Sequence, residues 1–242
     1  MSPRLRLNAA LARLGAGSRR SAEKLITAGR VCIAGKVVTE LATRVDPFAQ
    51  EISVDGVPLD RPRKKHLYFA FHKPKNIVTT LSDPEGRPTV RDYFPEKPRL
   101  FTVGRLDYDA EGLLLVTTDG PLAHRLMHPG FSAKRVYRVK VKGRPAPAVL
   151  DRLRRGVTLE DGFCKPLVIR FEKGTQNNSW YVMAVAEGRN RLVKRLWLRV
   201  GHPVIKLIRT EYAGILLADL PAGKLRPLKD EEVRKLREDF HS

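Results

Sequence analysis

The 242-residue chain is predicted to have an α+β fold, with a small N-terminal domain followed by a larger domain built on a mostly antiparallel sheet flanked by helices. Two observations predict this fold. From Leu67 onward, short apolar runs typical of strands alternate with segments of helical periodicity. The first 60 residues instead place two short amphipathic helices before a few very short strands.

The N-terminal domain is predicted to cover residues 1–60. Leu7, Leu11 and Leu14 share one helix face, and Gly15 can end that helix. Ser18 is the predicted N-cap of a second helix that ends at Gly29. Short strands are expected at residues 31–33, 37–38, 52–54 and 57, with an Asp-Gly hairpin signal at residues 55–56.

Residues 58–66 contain two prolines and four basic residues and little that could be buried. We interpret 61–66 as a basic linker and 67–242 as the second domain, so that the two domains can move relative to each other. In the second domain, strands are predicted at residues 67–71, 101–103, 113–116, 136–141, 167–171 and 180–185. Helices are predicted at residues 121–127, 146–155, 190–200 and 230–240.

The strongest global signal is the net charge of +20, with a pI of about 10.4. Such an excess favours a polyanionic partner, and nucleic acid is favoured over a membrane surface because no lipidation signal or basic amphipathic terminal helix is present. No apolar run approaches the roughly 18 residues of a membrane span. Two cysteines are too few for a disulfide framework or a zinc site. We expect a cytoplasmic, monomeric protein without a signal peptide.

The candidate functional segment runs from Gly104 to Gly120, where a polar turn leads into a buried apolar strand. The acids of this turn, Asp107, Asp109 and Glu111, allow three interpretations. They could bond nearby backbone amides, as turn acids often do. They could begin a calcium loop, but that loop needs a glutamate at its twelfth position, which is Thr118 here. The third interpretation is catalysis.

Several motifs occur in one order along the chain: His72-Lys73-Pro74, then residues 83–90 (Asp-Pro-Glu-Gly-Arg-Pro-Thr-Val), then Gly104-Arg105-Leu106-Asp107 followed by an apolar strand. With this order the chain resembles the ribosomal RNA pseudouridine synthases that carry an N-terminal S4 domain, nearest the large-subunit synthase B type. The resemblance implies an S4-like RNA-binding domain followed by a synthase domain. It also implies isomerisation of a uridine in ribosomal RNA, with large-subunit RNA or an assembly intermediate as partner.

The resemblance identifies three candidate catalytic residues. Asp107 would be the catalytic carboxylate, acting by attack on C1′, addition to the base or removal of a ribose proton. Tyr137 would stack on the target base, although a strand tyrosine packed in the core is the alternative. Lys194 would pair with Asp107, and 100° helix geometry places it opposite the apolar arc of Leu192, Val193 and Leu196. The reaction needs no redox step, so no metal or cofactor is expected.

The resemblance also suggests RNA-binding residues. In the S4-like domain these are Arg19, Arg20, Lys24, Arg30 and Lys36. In the synthase domain they are Arg105, Arg189, Arg191 and Arg195. Arg105 would fill the gap left by the flipped base, or form an ordinary ion pair with Asp109 or Glu111. Solvated basic faces are the alternative for the others.

Two other classes of protein are alternatives to this hypothesis. A non-catalytic RNA-binding ribosome-assembly protein would fit the charge and the S4-like domain equally well, but it would not need Asp107, Tyr137 and Lys194 in these motifs. A methyltransferase would need a glycine-rich cofactor turn after a strand, and the sequence lacks one.

Overall fold

The computed structural model describes residues 4–47, 49–59, 66–94 and 100–240. The chain divides into two compact units, 1–65 and 66–242. The predicted linker at 61–66 lies outside the described residues except for His66, so the linker stays a prediction. None of the helices within the described ranges combines the length and apolar character needed to span a bilayer.

The first unit packs two helices against short strands. The helices are α1 (Leu7–Arg13) and α2 (Arg19–Thr27), and the strands are β1 (Leu5–Arg6), β2 (Val31–Ile33), β3 (Lys36–Val37), β4 (Arg44–Val45), β5 (Ile52–Val54) and β6 (Val57–Pro58). Ser18 caps α2, because its side chain accepts a 3.0 Å hydrogen bond from the backbone N–H of Ser21. One core cluster, which includes Leu7, Leu11 and Ile26, joins the helices to a four-stranded sheet ordered β3-β2-β5-β6.

The second unit contains eleven strands and four α-helices among its described residues. The strands are β7 (Tyr68–Lys73), β8 (Phe101–Val103), β9 (Glu111–Thr117), β10 (Arg135–Lys142), β11 (Val157–Leu159), β12 (Gly162–Cys164), β13 (Val168–Gly174), β14 (Asn178–Val185), β15 (Val204–Tyr212), β16 (Ile215–Leu216) and β17 (Leu225–Pro227). The helices are α3 (Gly120–Met127), α4 (Pro147–Arg155), α5 (Leu192–Arg199) and α6 (Asp230–Asp239).

Nine of these strands form one sheet, whose main path is β13-β14-β10-β15-β9-β7-β17, with β8 beside β9 and β16 beside β15. Every pairing in this sheet is antiparallel except that of β9 with β15, which is parallel and pairs Glu111 with Ile208 and Gly112 with Arg209. The prediction of an α+β fold with a mostly antiparallel sheet is therefore confirmed.

Helices cover both faces of the sheet at its centre. One core cluster contains Leu114 and Val116 of β9 together with buried residues of α4 and α5. A second cluster contains Leu113 and Leu115 of β9 together with buried residues of α3 and α6. Because both of its faces are buried, β9 reads as a continuous apolar run rather than an alternating one.

The six predicted strands and four predicted helices of this unit are present, with shifts of up to three residues at their ends. Five further strands of this unit were not predicted: β11, β12, β15, β16 and β17. The most consequential omission is β15, which lies at the centre of the sheet. Lys206, Arg209 and Glu211 interrupt its apolar pattern, so its sequence resembles an exposed segment.

Candidate active site

The polar turn that carries Asp107 connects β8 to β9 and enters the sheet beside β15. Gly112 makes this close approach possible. Its φ is +113°, and a Cβ at this position would collide with the backbone of Arg209. A residue with a side chain at position 112 would therefore push β9 away from β15. The turn owes its position to this backbone contact at the centre of the sheet.

Lys194 lies between the two aspartates of the turn. Its Nζ atom is 3.0 Å from Asp107 Oδ2 and 2.5 Å from Asp109 Oδ1. The exposed side-chain fractions are 13% for Lys194, 32% for Asp107 and 67% for Asp109. Partial burial raises the pKa of Asp109, but the hydrogen bond and the charge of Lys194 outweigh this and hold that pKa below its usual range. The structure thus brings Lys194 to Asp107, and its catalytic role stays a prediction.

Helix α5 presents Lys194 to the turn because its opposite side is anchored in the core. Leu192, Val193 and Leu196 are buried, as the helical periodicity predicts. Arg191 directly precedes the helix with a left-handed backbone conformation, φ 47° and ψ 28°. The ammonium group is therefore carried by a rigid element rather than by a loop.

Two buried cations hold the backbone on either side of the turn. The Nζ atom of Lys73 donates to the carbonyls of Pro74 at 2.9 Å and Ala110 at 3.0 Å. The guanidinium of Arg209 donates to the carbonyls of Leu113 at 2.7 Å and Arg105 at 3.4 Å. Three of these four carbonyls belong to residues 105–113, so the two cations help to fix the turn.

Lys73 is completely buried, and this burial lowers the pKa of its ammonium group to about 8, although Asp107 and Asp109 act in the opposite direction. Neither Lys73 nor Arg209 was a candidate site residue in the sequence analysis. A signal was present for both: Lys73 lies in the His72-Lys73-Pro74 motif, and Arg209 interrupts an otherwise apolar run.

Tyr137 lies on β10, where its neighbour across the β10–β15 pairing is Arg209. Its side chain is buried in the same core cluster as Leu114 and Leu192. The hydroxyl group makes no hydrogen bond to another described residue. Packing in the core, the alternative considered for this tyrosine, is therefore part of the structure, and base stacking stays a prediction.

Arg189 and Arg195 are both bound to the hairpin formed by β11 and β12. Arg189 donates to Asp161 Oδ1 at 2.9 Å, to the carbonyl of Phe163 at 3.0 Å and to Glu187 at 3.0 Å. Arg195 donates to Asp161 Oδ2 at 2.7 Å. These bonds occupy the guanidinium groups, so an RNA contact would compete with them. Their predicted RNA-binding role remains untested.

Arg105 and Arg191 are exposed, and neither side chain forms an ion pair or hydrogen bond with another residue of the described ranges. The ion pair considered for Arg105 does not occur, because Asp109 binds Lys194 and Glu111 binds Lys206 at 2.7 Å. Both arginines are available to a ligand.

The five basic residues predicted for RNA contact in the first unit are all exposed: Arg19, Arg20, Lys24, Arg30 and Lys36. Arg30 differs from the others because it holds Asp55 through two bonds of 2.7 and 2.5 Å. The described residues contain no group of three or more His, Cys, Asp or Glu side chains that could hold a metal ion.

Comparisons with known proteins agree with the resemblance. The RNA pseudouridylate synthase family matches residues 67–197, and the S4 domain family matches residues 5–50. The chain is 42% identical to ribosomal large subunit pseudouridine synthase B of Bacillus subtilis (strain 168), over 96% of this chain and 95% of that protein. It is 44% identical to the protein of the same name from Haemophilus influenzae, over 96% of this chain and 67% of that protein.

A solved structure described as a pseudouridylate synthase is also similar. It has a TM-score of 0.66 and 28% sequence identity, and the match covers 96% of this chain and 99% of that one. The similarity therefore extends over both units of the chain.

Proposed function

Because the chain belongs to the RNA pseudouridine synthase family, we propose that it isomerises a uridine of large-subunit ribosomal RNA, with Asp107 as the catalytic carboxylate. The observation that carries this proposal is the contact of 3.0 Å between Lys194 Nζ and Asp107 Oδ2 at the start of β9. The relatives named as large-subunit synthases support the choice of RNA.

The isomerisation breaks the C1′–N1 bond of uridine, turns the uracil and forms a C1′–C5 bond. The hydrogen on C5 leaves and N1 gains a proton, so atoms and electrons balance without an oxidant or reductant. Attack on C1′, addition to the base and removal of a ribose proton all require a carboxylate. The ammonium group of Lys194 would hold one oxygen of that carboxylate in place.

The geometry of the Lys194 contact suits this role. A lysine ammonium is a compact charge and does not impose the planar two-point geometry of a guanidinium. The Oδ1 atom of Asp107 forms no hydrogen bond within the described residues, and the side chain is about one-third exposed. One carboxylate oxygen is thus available to a nucleotide while the other is held by Lys194.

The remaining candidate residues would bind the substrate. Arg105, two residues before Asp107, is positioned to enter the helix stack that a flipped uridine leaves. The exposed cations of the first unit, such as Arg20 and Lys24, would contact phosphates. The net charge of +20 supports a ribosomal RNA substrate. The protein would act on this RNA in the cytoplasm and as a monomer.

Tritium release tests the proposal. Large-subunit RNA transcribed with uridine tritiated at C5 is incubated with purified protein that has been treated with a chelator and dialysed. We expect tritium to appear in water at a small whole number of uridines per RNA, without any added metal or cofactor. RNA binding without release would support the non-catalytic assembly protein instead. Release that requires an added small molecule would contradict the cofactor-free mechanism.

A further inference from the structure

Phe163 is a large apolar side chain that the core does not use. It lies on β12 opposite Thr158 of β11, and 59% of its surface is exposed. The next residue, Cys164, is buried and belongs to the main core cluster. The strand therefore directs Cys164 inward and the phenyl ring of Phe163 outward, and exposure of this ring to water contributes nothing to folding.

The ring is nevertheless held in place. Gly156 has a φ of +98°, and a Cβ at this position would collide with the Cζ atom of Phe163. The phenyl ring therefore lies directly against the backbone of Gly156, and only glycine leaves room for it there. Part of the ring is supported by this contact, while the rest of its surface is open to solvent.

The hairpin that carries Phe163 is fastened to the helix that carries Lys194. Arg195, the neighbour of Lys194, donates to Asp161 Oδ2 at 2.7 Å. Arg189 donates to the carbonyl of Phe163 itself at 3.0 Å. In addition, Leu159 of β11 and Leu196 of α5 belong to one core cluster. The exposed ring and the ammonium group beside Asp107 are thus parts of one rigid scaffold.

The charge around the ring suits a polyanion. Arg155 precedes Gly156 and Lys165 follows Cys164, and both side chains are exposed. The acids of the hairpin, Glu160 and Asp161, are partly neutralised by Arg195. Proteins bind unstacked nucleotides with exposed aromatic rings on basic surfaces, because every base can stack on such a ring.

We propose that Phe163 is a base-stacking residue that binds a nucleotide of the RNA substrate on the hairpin attached to helix α5. The proposal rests on the proposed function for its RNA ligand and adds a contact outside the reacting centre. Phe163 takes no part in the chemistry. It positions the RNA so that the target uridine is delivered to Asp107.

The test uses the full-length protein and an RNA fragment that contains the uridine modified by the wild-type protein. Three variants separate stacking from apolar contact: Phe163→Ala, Phe163→Leu and Phe163→Tyr. The matched control is Phe171→Ala, because Phe171 is 53% exposed on the edge strand β13. Dissociation constants and single-turnover rates at saturating protein are measured for each variant.

We expect Phe163→Ala and Phe163→Leu to weaken RNA binding by about 5- to 100-fold. Phe163→Tyr, which keeps the ring, should bind within about threefold of wild type, and the RNA affinity of Phe171→Ala should be unchanged.

RNA fragments with a single abasic nucleotide then locate the stacked base. At that position the abasic fragment should weaken wild-type binding but should not weaken Phe163→Ala further.

Three results would each overturn the proposal. Phe163→Leu could bind RNA as tightly as wild type, or Phe171→Ala could lose as much RNA affinity as Phe163→Ala. The third is that Phe163→Ala and the abasic nucleotide weaken binding additively at every position. Failure of the proposed function gives a different result, because RNA would then bind without tritium release whatever residue stands at position 163.

Discussion

Two clusters of ion pairs flank helix α5, and they differ in the kind of cation and in how it is held. In the first, Lys194 is a single cation between two carboxylates, Asp107 and Asp109. In the second, Arg189 and Arg195 share the carboxylate of Asp161. The ammonium group of the first is held by acids, whereas the second is anchored to backbone carbonyls of residues 161–163 as well as to acids.

This difference suits the first cluster to catalysis and the second to holding the hairpin in place. A lysine ammonium stabilises a nearby charge without fixing its orientation, so Asp107 can still interact with a substrate. An arginine guanidinium donates in a rigid plane, and here its donors join a hairpin to a loop and a helix. We therefore expect substitutions in the lysine cluster to change the rate and substitutions in the arginine cluster to change stability.

The largest effect is expected for Asp107→Asn, which keeps the shape of the side chain but removes the carboxylate. Isomerisation should be abolished, because the amide can neither attack nor accept a proton as a carboxylate does. RNA affinity should stay within about tenfold of wild type, or 1.4 kcal/mol. Tritium release and RNA binding are measured on the same preparation. Turnover near the wild-type level would contradict the assignment.

Lys194→Met should lower the single-turnover rate about 100-fold at neutral pH, equivalent to ~2.7 kcal/mol. The loss is smaller than complete burial would give, because the cluster is partly exposed. The loss should appear in the single-turnover rate at saturating protein rather than in RNA affinity, because Lys194 contacts Asp107 and Asp109.

The control for this variant is Arg191→Met, which removes an exposed cation just before the same helix. It should weaken RNA binding and leave the saturated rate nearly intact. If the two variants lower the single-turnover rate equally, Lys194 is not the partner of the catalytic carboxylate.

Lys73 differs from the cations of both clusters, because its ammonium group is hydrogen-bonded to the backbone carbonyls of Pro74 and Ala110. Its pKa is about 8 in the folded protein, below its ordinary value of 10.5, because burial disfavours the charge. Between these values the unfolded chain binds the proton that the folded protein has lost. The free energy of unfolding should therefore rise from pH 8 to pH 10.5, by up to ~3 kcal/mol for this group alone.

Urea unfolding of wild type and Lys73→Met across this range isolates the effect of Lys73. Other groups titrate equally in both proteins, so the difference between the two free energies of unfolding should change with pH. A difference that is constant from pH 8 to pH 10.5 would show that burial does not perturb Lys73.

Arg189→Met should lower the midpoint of thermal unfolding by roughly 2–6 °C, because carbonyls of the hairpin lose their donors. Arg195→Met should have a smaller effect in the same direction. Saturated turnover should be nearly unchanged for both variants. The control is Arg199→Met on the same helix, where the side chain is exposed. An unchanged midpoint for Arg189→Met would contradict the architectural role.

The smallest effect is expected in the first unit. Replacement of both Arg20 and Lys24 by Met should weaken binding to long RNA several-fold and flatten its salt dependence, by about 0.9 in slope for each lost phosphate contact. Arg30→Met should have a smaller effect on the slope, because the guanidinium of Arg30 already binds Asp55. Equal slopes for wild type and the double variant would show that Arg20 and Lys24 do not contact phosphate.

Sequence patterns predicted the elements whose signal is local. β9 was predicted from an apolar run between glycines, and the buried side of α5 from its helical period. The position of Lys194 off that buried arc also followed from the period. Fold class and the family were likewise predictable, because several motifs occur in one order along the chain.

Two of the omissions, Arg209 with its strand β15 and Lys73, share a physical cause, which is that buried cations can be satisfied by backbone carbonyls. Arg209 is buried in β15 with Leu113 and Arg105 as its acceptors, about 100 residues earlier in the chain. Lys73 is held in the same way. A backbone carbonyl acceptor cannot be recognised from residue types. The charged residues of β15 therefore gave a central strand the pattern of an exposed segment. Arg195 and Arg189 bind Asp161 and the backbone of the hairpin, and these partners likewise could not be predicted from the sequence.

The most direct test is to map pseudouridines in ribosomal RNA from cells that lack this protein and from the same cells supplied with either wild type or Asp107→Asn. We expect at least one pseudouridine in large-subunit RNA to disappear without the protein, to return with wild type and not to return with Asp107→Asn. Recovery with Asp107→Asn, or a pseudouridine pattern that never changes, would contradict it.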